Sequence, residues 1–412
     1  MTDKQDKLIP ILRFPEFKND GGWEFRRLGD IADSFSGGTP TASKADYYGG
    51  DIPFIRSGEV NSPKTSLFLT QAGLDCSAAK MVDKGTILYA LYGATSGEVG
   101  LARVRGAINQ AVLAIVPKEG IEKLFLFQYL RYAKSSIINR FIQGGQGNLS
   151  AAIISNLLIP LPSLAEQRKI ADFLISLDDL LAGAKAKREQ LIVHKKGLMQ
   201  RLFPAPGKTV PEFRLPEFKS VGEWRVLRLE EVANKRTQRN TELLKLPVLT
   251  NSATEGVVNQ FEYFDREIVS NDNLSNYFIV EQNDFVYNPR ISSVAPVGPI
   301  SRNRIGLGIV SPLYSVFGFS KGCIDFFEQY FQSNNWHKYL KEKANYGARY
   351  DRINISNQDF WALPIPFPSI NEQQRIASLL VTVDEMIIGR SFQVKTLEDY
   401  KKGLMQQLFP SS

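Results

Sequence analysis

Few side chains in this sequence could do covalent chemistry. Histidine occurs only at His194 and His337, and the first falls inside a long helical pattern. A Ser-His-Asp arrangement or a multi-histidine metal site is therefore not expected. Cys76 and Cys323 have no CxxC spacing, which argues against a zinc site or a disulfide framework and fits a reducing, cytoplasmic compartment. No GxxxxGK[ST] loop is present to hold a nucleotide. "YNPRI" (287–291) approaches the N-P-P-aromatic signature of amino-methyltransferases, but Arg290 and Ile291 stand where the second proline and the stacking aromatic belong. Glycine-rich "YGATSGEVG" (92–100) lacks a strand, turn and helix context; it reads as a turn first and as a backbone phosphate cradle second. Pro-Glu-Phe-Lys occurs at 15–18 and 216–219. It could supply the acid and lysine of a nuclease, yet no second carboxylate lies on a neighbouring strand pattern, and a lead-in clamp fits better. The expectation is no catalytic residue and no metal.

Recognition chemistry, by contrast, is abundant. Arg, Asn, Gln and Ser side chains contact base edges and phosphates. In the first half the candidates are Arg56, Ser57, Glu59, Thr95, Ser96, Arg103, Arg105, Asn109 and Gln110. In the second they are Asn251, Ser252, Asn288, Arg290, Arg302, Arg304, Ser311, Tyr314, Arg349 and Arg352. For any one of them a solvated surface role competes with a contact. A net charge of +7 and a pI near 9.1 favour a polyanionic partner.

The elements that would position these groups are written twice. "KKGLMQRLFP" (195–204) returns as "KKGLMQQLFP" (401–410). At the same offset Pro160, Pro162, Ser163, Glu166, Gln167, Ile170, Ala171, Leu174 and Asp178 meet Pro366, Pro368, Ser369, Glu372, Gln373, Ile376, Ala377, Leu380 and Asp384. Upstream, "RFPEFKNDGGWEFRRLGDIA" (13–32) faces "RLPEFKSVGEWRVLRLEEVA" (214–233). Between these margins the halves share only a trace, with "KGTILYA" opposite "NDFVYNP" and "INQAVLAI" opposite "VSPLYSVF". Short β-type runs broken by turn residues fill both interiors, followed by helical patterns at 121–143 and 325–345. An α+β globule is expected twice.

Each unit closes on P-x-P-S-x-x-E-Q, a capping box in which Ser163 or Ser369 starts a helix and Glu166 or Glu372 reaches back to it. Behind the caps, Ile170, Leu177, Ala184, Leu191 and Leu198 recur every seventh residue, with Phe173 and Leu180 between. The second copy offers Ile376, Val383, Leu397 and Leu404, with Leu379 and Met386. This heptad pattern predicts that each helix takes the other as its partner, with Lys187, His194, Arg390 and Gln393 as polar groups on the seam; an antiparallel pair would set the globular parts at opposite ends of one rod. Ordinary amphipathic helices packed on their own domains are the competing reading. The expected division is 1–162 and 205–368 for the globular parts, and 163–204 and 369–412 for the helices. The tails' Leu198, Met199, Leu202 and Phe203, with Leu404, Met405, Leu408 and Phe409, are the first choice for docking a protein partner. No apolar run is long enough to span a membrane, and the polar start "MTDKQDKLIP" is unlike a signal peptide.

The paired P-x-P-x-x-x-E-Q helices, the twin "PEFK…GxW" segments, and the "SGGTP", "IPFIRSGEV" and "GATSG…INQ" stretches resemble the DNA-specificity subunits of type I restriction–modification systems across essentially the whole chain. The resemblance implies two target-recognition domains, each reading part of a split double-stranded DNA site, and two helices forming an antiparallel coiled coil. It also implies two methyltransferase subunits as partners, with restriction/translocase subunits able to join. S-adenosylmethionine, ATP and Mg would then act on those subunits, and this chain would bind no cofactor. Helices of about 40 residues would run roughly 60 Å, which bounds the outer reaches of the two recognition domains to under about eighteen base pairs and suggests half-sites separated by about half to one helical turn. A self-sufficient DNA-modifying enzyme and a two-headed scaffold for protein partners are the alternatives; activity of the purified chain and salt dependence of binding tell them apart.

Overall fold

The computed structural model describes residues 8–141, 148–264, 271–344 and 351–410. It divides into two compact units, 1–184 with 393–412 and 185–392, so that both divisions fall inside long helices. The first long helix is Leu164–Leu202 and the second Ile370–Leu408.

Unit 1 contains two four-stranded sheets. In the inner one, Ala32–Ser36, Val112–Pro117, Ile87–Ala90 and Val99–Leu101 lie side by side, all antiparallel. In the outer one the order is Leu67–Leu69, Tyr48–Ile55, Gly106–Ile108 and Lys80–Val82, with a parallel central pair in which Ile55 meets Ile108. Period-two alternation explains the layering. Ile87, Tyr89, Leu113 and Ile115 point into the core shared with the helices, while Leu88, Ala90, Val112 and Ala114 point to the core between the sheets. Helix Lys123–Phe141 packs on the first of these cores through Phe125, Leu126, Tyr129 and Leu130.

Unit 2 repeats the topology. Its inner sheet is Ala233–Arg236, Ser315–Phe319, Phe285–Tyr287 and Ile300–Arg302; its outer sheet is Gly256–Asn259, Val248–Ser252, Gly308–Val310 and Phe278–Val280. The parallel pair recurs, with Leu249 beside Val310. The faint sequence trace therefore marked equivalent strands: "KGTILYA" and "NDFVYNP" supply the third strand of each inner sheet. The expected helix over 325–345 divides into Ile324–Gln332 and His337–Lys343. At the break, the Asn335 amide donates to the carbonyls of Phe203 and Pro204 at 3.3 and 2.7 Å.

Each unit is completed by the far end of the other long helix. Met405, Leu408 and Phe409 are buried in the unit 1 core with Ile170, Ala171 and Leu174; Met199, Leu202 and Phe203 are buried in the unit 2 core with Ile376, Ala377 and Leu380. Phe409 meets Phe125 and Tyr129 edge-on at 5.7 and 5.4 Å, and Phe203 meets Phe326 and Tyr330, both at 5.5 Å. This corrects the expectation for the tails. Leu198 and Leu404 pack against these cores and the other six residues lie inside them, because apolar side chains at this density leave water in favour of their own domain.

Within unit 1 the two helix segments run antiparallel, Asp178 facing Lys401 while Ile170 shares a core with Leu408. The seam differs from the heptad expectation by one residue. Leu180 is 53% exposed and Met386 51% exposed, while Leu174 and Leu380 are fully buried and Leu181 and Ile387 half-buried. Phe173 and Leu379 are half-buried only because the globular body covers a wider face at each helix base, Phe14 packing on Phe173 at 5.6 Å. Lys187, His194, Arg390 and Gln393 are exposed; the polar groups on the seam are Lys195 and Lys401.

The caps also differ from the expected box. Ser163 Oγ accepts from the Glu166 amide as anticipated, but the Glu166 carboxylate takes Arg13 side-on at 2.8 and 2.7 Å, while Arg13 also donates to the carbonyls of Asp20 and Gly21. Arg214 and Glu372 repeat this, with Val221 and Gly222. Gln167 and Gln373 each donate to the proline carbonyl before the cap and accept a backbone N–H, from Glu122 and Cys323 respectively. The duplicated Glu-Gln pair thus ties each lead-in segment and interior to its helix.

Candidate nucleic-acid interface

The outer sheets carry no residue of the helix-bearing cores, and their strand ends hold much of the candidate set. In unit 1, Arg56 follows Ile55 and Asn109 follows Ile108, so the parallel register brings both out at one end of the sheet. Asn109 Oδ1 caps the Ala111 amide at 3.1 Å. Gln110 is bonded by the Thr39 hydroxyl from "SGGTP", and Gly37 there lies so close that a Cβ would sit 1.7 Å from the Ile108 carbonyl oxygen. Arg56 donates through Nε and Nη2 to the two Glu59 oxygens, each at 3.3 Å, and through Nη2 to Ser66 Oγ at 2.6 Å. Burial would raise the Glu59 carboxyl, but bonds from Arg56 and Ser66 hold it below its ordinary value. Ser57 is half-buried beside them, and Arg103 and Arg105 are exposed, Arg105 pairing with Asp83 at 3.2 Å.

The glycine-rich loop is a turn. The amides of Ser96, Gly97 and Glu98 donate to carbonyls of Gly93, Ala90 and Thr95, and Ser96 Oγ donates to Leu91 O at 2.9 Å. Thr95 is half-buried in it. Those backbone groups are spent on the loop itself, so no phosphate cradle forms from them.

In unit 2 the same register puts Thr250 and Ser311 at the equivalent positions, Thr250 inside the longer strand Val248–Ser252, where it faces Val258, and Ser311 just after its strand ends. Thr250 Oγ1 and the Tyr314 hydroxyl are 3.0 Å apart. Other candidates there are structural. Asn251 and Asn288 are 2% and 7% exposed; Asn251 donates to Val286 O and Pro299 O, Asn288 donates to Asn251 O, and together they stitch the sheets. Ser252 Oγ caps the turn amides of Thr254 and Glu255. Arg302, 12% exposed, is bound to Asn283, Asp325 and Glu328, and Arg304 to Glu328, which fixes the inner sheet to helix Ile324–Gln332. Asn251, Asn288 and Arg302 are thus held within the fold by these bonds, whereas the Arg304 side chain is 61% exposed. Arg290 remains exposed, bridged by backbone to Arg352. Arg349 lies outside the described residues.

One group went unread in the sequence. The strand and turn "NKRTQRN" (234–240) exposes Lys235, Arg236 and Arg239. Arg236 pairs with Asp284 at 3.0 Å, and Arg239 stacks over Phe278 at 5.2 Å. The signal was available, three cations within five residues directly after a matched margin.

Nothing among the described residues resembles a reaction centre. No group of three or more His, Cys, Asp and Glu residues is placed to hold a metal ion. Burial pulls His337 down to about 4, Lys341 adding to the effect, so its ring is uncharged at neutral pH. No helix is long and apolar enough to cross a membrane.

The chain is a duplicated α+β unit with helix-tied cores and polar groups at its strand ends. The family described as type I restriction modification DNA specificity domain matches residues 20–192 and again 222–393, and the chain belongs to that family. It is 24% identical over 414 residues to the type I restriction enzyme MjaVIII specificity subunit of Methanocaldococcus jannaschii, spanning 96% of this chain and 93% of that protein. It is 24% identical over 170 residues to the EcoR124I/EcoR124II specificity subunit of Escherichia coli, spanning 39% and 42%. The fold is shared with the type I restriction-modification S subunit from M. genitalium, with a TM-score of 0.59 at 16% identity covering 98% of this chain and 100% of that one. A chain from a structure of type I restriction–modification complex assembly matches with a TM-score of 0.56 at 17% identity, covering 95% and 98%.

Proposed function

We propose that this chain is the DNA-recognition subunit of a type I restriction–modification complex, each unit reading one part of a bipartite, asymmetric site. The observation that carries the reading is the pair of outer sheets: one topology and one register, with Arg56, Asn109 and Gln110 just past the strand ends in unit 1 and Thr250 and Ser311, with Tyr314 beside Thr250, at the equivalent positions in unit 2. A shared scaffold with different strand-end donors suits two half-sites of different sequence. The chain positions two methyltransferase subunits for adenine N6 methylation, and restriction/translocase subunits where these are present. S-adenosylmethionine, ATP and Mg act on those partners.

The test is to co-express the chain with its genomic methyltransferase neighbour and map N6-methyladenine by single-molecule sequencing. A split motif that disappears on deletion of this gene, and changes in one half when residues 33–147 are exchanged, is the expected result. Failure of a stable complex to methylate any sequence would overturn it.

A further inference from the structure

Arg56 is the cation in the unit 1 cluster whose side chain is held in one orientation by a dedicated set of partners. Glu59 accepts from Arg56 N, Nε and Nη2 and from Ser66 N and Oγ, five donors on one carboxylate. Its own side chain is 14% exposed, whereas that of Arg56 is 44% exposed. Glu59 therefore has little capacity left to accept from a cytosine amine, contrary to a direct reading role. The guanidinium keeps Nη1, which carries no hydrogen bond among the described residues.

Charge and direction separate two uses of such an arginine. A phosphate contact draws on net charge, and here the neighbouring carboxylate cancels it. A base contact draws on oriented N–H groups; the clamp takes Nε and both protons of Nη2 and leaves the two of Nη1 oriented without further loss of rotamer freedom. Guanine is the base that presents two acceptors, O6 and N7, on its major-groove edge.

Building on the bipartite-site reading above, we propose that Arg56 reads a guanine in the half-site of unit 1 and that Glu59, braced by Ser66, is its positioning residue. Unit 2 places Thr250, an uncharged side chain paired with Tyr314, at the register-equivalent position, inside the longer strand Val248–Ser252. The guanine contact belongs to one half-site only.

The experiment uses the full chain in complex with its methyltransferase subunits, mapping the methylated motif for the wild type, Arg56→Ala, Arg56→Lys and Glu59→Gln. Arg56→Ala should make one guanine position of one half-site degenerate, with discrimination there falling roughly ten- to hundredfold, while the other half-site is unchanged. Arg56→Lys should recover part of the preference. Glu59→Gln should weaken it at the same position without altering which base is preferred. The untouched half-site serves as the internal control for folding. An unchanged motif in Arg56→Ala overturns the assignment. So does a loss that is uniform over all sequences and accompanied by a smaller salt slope, the mark of a phosphate contact, or by a lowered thermal midpoint, the mark of a loop-closing pair. Absence of any motif from the wild type removes the bipartite reading, and this assignment with it.

Discussion

Units 1 and 2 agree where their sequences have diverged and differ where they have been kept. The interiors share two sheets, one strand order and one parallel register with little common sequence. The near-identical frames nevertheless make unequal bonds. Trp224 Nε1 donates to Glu372 at 3.1 Å, while the buried Trp23 Nε1 has no hydrogen-bond partner among the described residues. Lys401 binds Asp178 at 2.5 Å in company with Gln128 and Arg131, whereas Lys195 binds both Asp384 oxygens at 2.6 and 2.7 Å with Gln329 and Gln332. Fold depends on the alternation of apolar residues, which many sequences satisfy; individual polar bonds depend on neighbours that each interior supplies.

The largest test of this comparison is removal of a plug. Phe409→Ala should cost unit 1 about 3–5 kcal/mol and leave amide exchange in the unit 2 strand Ser315–Phe319 unchanged; Phe203→Ala should do the reverse. Equal loss in both units from either variant would break the picture of two separately completed cores.

The buried lysines come next. Lys195→Met strips Asp384 of its cation and should cost about 3 kcal/mol or more in denaturant unfolding. Lys401→Met should cost about 1 kcal/mol less, because Arg131 remains 3.2 Å from Asp178. Equal costs would show that Arg131 contributes nothing.

Smaller still is the tryptophan pair. Trp224→Phe loses a bond to a carboxylate and should cost about 1.5 kcal/mol more than Trp23→Phe, provided both rings keep their packing, which near-ultraviolet dichroism checks.

Last is pH. Burial would raise the Asp178 carboxyl, but bonds from Lys401 and Gln128 outweigh it and hold the group below its ordinary value. A depressed carboxylate contributes stability that is present above its unfolded value of 3.8 and is lost as pH falls through the folded value. Unit 1 should weaken over that acid window, and Asp178→Asn should flatten its share of the slope. Burial lowers the Lys401 ammonium despite Asp178. That group acts in the alkaline range, where stability rises with pH up to its unfolded value.

Much of the architecture was legible in the letters. The duplication, the capping serines, the two long helices and the equivalence of "KGTILYA" with "NDFVYNP" all rest on spacing, and spacing is a property of the chain alone. The candidate site was legible in part. Arg56, Asn109 and Gln110 stand together at one sheet end, but Asn251, Asn288 and Arg302 are bound inside the fold, and a sequence does not distinguish an asparagine that reads from one that stitches two sheets. Lys235 and Arg239 become a surface group only through the strand and turn that expose them, which the sequence pattern does not specify.

The identity of the repeated ten residues was written in the sequence; their job was not. Exposed docking surface and buried plug share the same composition, and the choice between them depends on whether a complementary apolar socket exists elsewhere in the chain. Packing supplies that socket from Phe125, Tyr129 and Leu174 for one tail and from Phe326, Tyr330 and Leu380 for the other. Periodicity determined that there would be two units and two helices, because hydrophobic spacing is local. Only tertiary structure decided that each helix begins in one unit and finishes the core of the other, because that requires contacts between residues far apart in the chain, as between Asp178 and Lys401 in one unit and Lys195 and Asp384 in the other.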